Sequence, residues 1–75
     1  MEKYANKGGS SGVAAYQIGT DYIWVQFTSG SIYEYTYASA GSGNIESMKS
    51  LAKSGSGLNT FITKNVRTKF SRKIS

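Results

Sequence analysis

Five cations, Lys64, Arg67, Lys69, Arg72 and Lys73, fall within residues 64–75 with no acid among them. The chemistry they suit is contact with a polyanion. The chain carries nine lysines and arginines against four acids, a net +5, so residues 1–63 balance at zero. Charge gathered at one end makes a directional field, which draws phosphates to one surface instead of raising solubility evenly. The same side chains also suit a plainer role, because lysine and arginine favour the C-terminal end of a helix and stay solvated there. Arg67, beside the apolar Val66, has a third option in a fixed structural hydrogen bond from its planar guanidinium.

Tyr22 and Trp24 form the second group. They alternate with Ile23 and Val25 in Tyr-Ile-Trp-Val-Gln-Phe, so a strand would place them together on the face opposite the aliphatic pair. Aromatic rings on a sheet stack on unpaired bases in several single-strand-binding folds. Glu34, expected on the same face, repels phosphate. A face of this kind also suits a protein partner, or partial cover by the N-terminal lead.

Catalysis lacks its usual residues. The chain has no cysteine and no histidine, and its carboxylates are Glu2, Asp21, Glu34 and Glu46, which belong to a tail, a turn, a strand and a helix start. Nothing here converges as nucleophile, base and oxyanion donors must, so the expectation is a protein that is not an enzyme, with no cofactor and no metal site. Gly41-Ser42-Gly43 and Gly55-Ser56-Gly57 each precede a predicted helix, but neither has the lysine or the strand-loop-helix order of a phosphate cradle. They read as turns and caps. No apolar run approaches the roughly 18 residues of a membrane span, and the opening residues lack the apolar stretch of a signal peptide. Absence of cysteine fits a reducing compartment, and a cytoplasmic location without membrane contact is the expectation.

The elements that must position these groups follow from pattern. Residues 1–12 are polar and end in Gly8-Gly9-Ser10-Ser11-Gly12, a composition that reads as a flexible lead. Three β-like runs, residues 13–18, 22–27 and 32–37, are joined by short turns and form an antiparallel meander. A three-residue turn with Gly30 in the left-handed position pairs Val25 with Tyr33 and Ile23 with Tyr35. Residues 38–43 read as a loop, and Asn44 as the N-cap of a helix to residue 53 with Ile45, Met48, Leu51 and Ala52 on one stripe. Leu58, Phe61, Ile62 and Val66 mark a second helix. The expected fold is α+β, in the order β-β-β-α-α. It forms one domain over residues 13–70, with residues 71–75 a basic tail in which Arg72 and Lys73 are loose.

Several of these blocks resemble the KTSC domain, a small domain named for the C-terminus of some lysyl-tRNA synthetases and also found as stand-alone bacterial and phage proteins. The resemblance rests on Ser10-Ser11-x-Val13 and on Ile23-x-Val25-x-Phe27-x-x-Gly30-x-x-Tyr33-x-Tyr35. Leu51-Ala52 before a Gly/Ser turn, and Phe61 followed by Asn65-Val66-Arg67-x-x-Phe70, continue it. The chain departs from the family pattern in having no proline. Attachment to a tRNA-handling enzyme implies RNA binding. The combined expectation is a small non-catalytic domain that binds RNA or single-stranded DNA through Lys64, Arg67, Lys69, Arg72 and Lys73. The alternative is a protein-interaction module, or a phage or bacterial accessory factor, docking through Tyr22 and Trp24.

Overall fold

Alternate residues of a strand face opposite sides of a sheet, so the run Tyr22–Phe27 has to bury either Ile23 and Val25 or Tyr22 and Trp24. In the computed structural model, which describes residues 1–7, 9 and 12–75, Ile23 and Val25 are fully enclosed while Tyr22 and Trp24 are half-buried on the other face. The sheet is antiparallel with strands in chain order: β1 (Glu2–Lys3), β2 (Val13–Ile18), β3 (Tyr22–Phe27), β4 (Ile32–Thr36) and β5 (Arg72–Lys73). Val25 pairs with Tyr33 and Ile23 with Tyr35, the register that the three-residue turn demands. Gly30 closes that turn at φ +98°, donating its N–H to Phe27 O at 2.9 Å, a backbone state that side chains beyond glycine rarely tolerate. On the other side of β3, a bulge between Val13 and Ala15 lets Val13 and Tyr16, an odd number of residues apart, both turn toward the core.

The sheet is wider than the expected three strands, and both extra strands come from segments read as irregular. Residues 1–12 do not all behave as a lead. Glu2 and Lys3 pair with Tyr16 and Ala15, and Tyr4 is 2% exposed within the core. The Tyr4 hydroxyl accepts a hydrogen bond from Leu58 N–H at 3.3 Å, so it caps a helix start whose own preceding residue, Gly57, has no side chain to do so. Lys7 N–H then donates to Gly55 O at 2.8 Å. Gly55 stands at φ +78°, and a Cβ there would collide with Ala5, so the close approach of the N-terminal segment requires glycine. Gly8, Ser10 and Ser11, part of the Gly/Ser run and of the family-like block, lie outside the described residues.

The basic tail is likewise docked. Arg72 and Lys73 pair with Glu34 and Tyr33, and the flanking bonds Ser71 N–H to Glu34 O (2.6 Å) and Ile74 N–H to Ile32 O (2.7 Å) extend the ladder. Arg72 and Lys73 are therefore held by backbone pairing along β4, not loose.

Helices cover the Ile23/Val25 face. Residues 38–43, read as a loop, contain a short helix α1 (Tyr37–Ala40) closed by a reciprocal capping box in which Thr36 and Ser39 each accept the other's N–H at 3.0 Å. The main helix α2 (Ser42–Ser54) starts before Asn44, which is no N-cap; its amide donates to Ala40 O at 2.8 Å. Of the expected stripe, Ile45, Met48 and Ala52 are buried, and Leu51 is partly buried against the core. The last helix, α3 (Leu58–Phe61), continues into a π-helical turn, Ile62–Val66. Steps of four residues drift by about 40° each around an α-helix, and the wider turn undoes that drift, so that Leu58, Ile62 and Val66 all stay buried.

Tyr4 gives the test of the docked N-terminus. Tyr4→Ala is expected to cost about 3–5 kcal/mol of stability, as for other large core truncations. Tyr4→Phe, which leaves the Leu58 N–H without its acceptor, should cost about 1–3 kcal/mol. Urea denaturation measures both, and a neutral Tyr4→Ala would mean that the N-terminal segment is not packed.

Candidate functional site

Because β5 obeys the same alternation as its neighbour, pairing with β4 sends Arg72 and Lys73 to opposite faces of the sheet. Arg72 lies opposite Glu34 and Lys73 opposite Tyr33. The five cations expected to form one patch are thus divided by the backbone.

On the outer face, Glu34 accepts from Trp24 Nε1–H at 2.9 Å and from Arg72 Nε–H at 3.2 Å. Tyr22 lies beside Trp24 with ring centroids 5.9 Å apart. The indole N–H holds the Glu34 carboxyl below its ordinary value of 4.5, against the opposing effect of burial, and the Arg72 guanidinium lowers it further. The expected repulsion of phosphate by Glu34 is therefore offset by its neighbour, and the expected phosphate contact at Arg72 has a carboxylate already on it. The acid of α2, Glu46, is engaged as well: it accepts from the Tyr37 hydroxyl at 2.6 Å and pairs with Lys49 at 3.0 Å.

The other side of the sheet holds a feature that sequence reasoning did not find. A cavity of about 220 Å³ opens between the sheet and the C-terminal segment, walled by Phe27, Tyr33 and Tyr35 on one side and by Ile62, Arg67 and Phe70 on the other. Phe70 is 39% exposed, with its ring 4.8 Å from Tyr33 and 6.4 Å, edge-on, from Tyr35. Lys73 Nζ stands 6.0 Å from the Tyr33 ring centre, at the limit of a cation–π contact. The side chains of Lys64, Arg67 and Lys69 are exposed and make no hydrogen bond or ion pair among the described residues. Arg67 is accordingly a groove residue and not the fixed structural donor that its setting beside Val66 allowed.

Tyr33 and Tyr35 were expected in the core, and Tyr35 is there at 2% exposure. Its hydroxyl has no hydrogen-bond partner among the described residues. Since no enclosed side-chain polar atom of the described chain lacks a partner, this oxygen is not fully enclosed, and Tyr35 is one of the residues that line the groove. Burial and the neighbouring Tyr33 push its pKa up to about 12, which keeps the phenol protonated and able to donate or accept at neutral pH. The one sequence signal for the groove was the two-residue spacing of the tyrosines, which places both on one strand face; that Phe70 would come to meet them depends on β5.

Among the described residues no cluster of three or more possible metal ligands occurs, and no helix is long and apolar enough to cross a membrane. Comparison of the chain with protein-family models, curated proteins and solved structures finds no match.

The Glu34 contacts carry a pH dependence. A carboxylate held below its ordinary value by folding adds stability that is complete above about pH 4.5 and is lost as pH falls through the lower folded-state value. Trp24 is the only indole, so its emission should change over that acid range as Glu34 takes up a proton. Glu34→Gln should remove this transition, and an unaltered one would place its origin elsewhere.

Proposed function

We propose that this chain is a small non-catalytic binding domain that contacts RNA or single-stranded DNA, with phosphates as the main contact. Lys64, Arg67, Lys69 and Lys73 carry it, and Arg72 takes a lesser part because Glu34 already holds it. One observation supports this above the others: Arg67, whose side chain makes no hydrogen bond or ion pair among the described residues, lines an aromatic groove that contains no acid, and Lys73 Nζ stands 6.0 Å from the centre of the Tyr33 ring of the same groove. The four acids lie elsewhere, Glu34 on the outer face, Glu2 on the far edge strand, Glu46 against Lys49 and Asp21 in the turn before β3. The likeness of residues 10–70 to the KTSC domain points the same way.

Salt separates this reading from a merely solvated basic end. Each single-strand phosphate contact contributes about −0.7 to the slope of log affinity against log salt. Four contacts predict roughly a 50-fold loss between about 50 and 200 mM salt. Fluorescence anisotropy with a short labelled RNA measures it. Replacing Lys64, Arg67 and Lys69 together with alanine should flatten the slope to about one contact, and Arg72→Ala should weaken binding less than Arg67→Ala. Undetectable binding at about 50 mM salt, or affinity indifferent to salt, contradicts the proposal. Loss on replacing Tyr22 and Trp24, with none on replacing the groove cations, would move the contact to the outer face.

A further inference from the structure

The groove is shaped for more than phosphate. It is small, about 220 Å³, below the roughly 300–1,000 Å³ of pockets for drug-sized ligands, and so has room for one ring system. Its walls are aromatic on the sheet side and at Phe70. Tyr33, Tyr35, Asn59, Thr63 and Arg67 bring polar side chains to its lining. The Asn59 amide, like the Tyr35 hydroxyl, has no hydrogen-bond partner among the described residues. A concave apolar site with a few converging polar groups is the usual form of a ligand pocket. Here one cation, Arg67, is among the lining residues and no acid is.

We infer that the groove seats one unpaired nucleobase of a bound single strand, the ring lying against Phe70 and Tyr33, its polar edge meeting Tyr35 and Asn59, and its phosphate meeting Arg67. This rests on the phosphate-contact reading above and adds a base site to it. A flat aromatic ring attached to an anion is what the contents of the groove complement together. Aliphatic ligands would leave the hydrogen-bonding groups unmatched, and an uncharged aromatic would leave Arg67 without a counterpart. The seat is also assembled from two parts of the chain far apart in sequence, the β4 tyrosines and the Arg67-to-Phe70 segment, which β5 pins together.

Two probes distinguish a base seat from a phosphate track: a labelled eight-nucleotide oligothymidine and an abasic strand of the same length and charge. Oligothymidine should bind more tightly than the abasic strand. Base–aromatic stacking is commonly worth about 1–3 kcal/mol, or roughly 5- to 150-fold. Phe70→Leu should remove most of that difference while leaving abasic binding and the salt slope unchanged, and Phe70→Tyr should restore it. Tyr35→Phe keeps the core packing and removes a hydroxyl with no protein partner, so it should not alter the unfolding midpoint. It should weaken oligothymidine by about 2- to 10-fold, the scale of one net hydrogen bond, and leave the abasic strand alone. Equal affinity for the two probes, with normal salt dependence, would overturn the base seat while the phosphate reading stands. Failure of both probes to bind would overturn both. Tighter binding of a phosphotyrosine peptide than of oligothymidine would assign the groove to a protein ligand and overturn it as well.

Discussion

The pairing of β3 with β4 determines where every candidate binding group of this molecule points. Val25 opposite Tyr33 and Ile23 opposite Tyr35 bury the aliphatic stripe and put the tyrosines beside it. Shifting that register by one residue would carry Glu34 to the core side and the tyrosines to the outer face. The helices then have only one face to cover, and α2 and the α3 segment supply the Ile45, Met48, Leu58 and Val66 that do so. β5 inherits the same alternation from β4. The division of Arg72 from Lys73, and the meeting of Phe70 with Tyr33, follow from a register settled some forty residues earlier in the chain.

That dependence explains what was legible in the sequence. The meander, its register and the buried stripe of α2 are local patterns: strand alternation, a glycine turn and helical spacing are all written within a dozen residues. β1 and β5 are two residues long, too short for any period, and each is defined only by a partner strand elsewhere in the chain. Tyr4 looked like one aromatic in a polar lead because its two reasons for burial, the core and Leu58 N–H, lie far away in sequence. The capping box of α1 was missed for a different cause: serine stands at the position where glutamate or glutamine is the usual signal.

The candidate site shows the same split. The charge was plain from composition, and the five cations were located by number. Their grouping was not. Arg72 was counted with the others, yet Glu34, an acid from the neutral part of the chain, sits on it, so the formal +5 overstates what the C-terminal segment presents to a ligand. The groove arises where an expected core face is left incompletely covered, since the last helix ends near Val66 and the chain returns to the sheet as a strand. Alternation alone does not say where cover stops.

A two-residue strand has a consequence for how copies of this protein meet. Open sheet edges offer unpaired N–H and C=O groups to any other strand, and long flat ones invite fibrils. Here both edges end in pairs of charged residues, Glu2–Lys3 on one side and Arg72–Lys73 on the other. Two molecules approaching through their β5 edges bring two Lys73 ammonium groups together, while each Arg72 arrives paired with Glu34, and the strand on offer is two residues long. The strand that carries basic groups to the sheet thereby also places charge along its open edge.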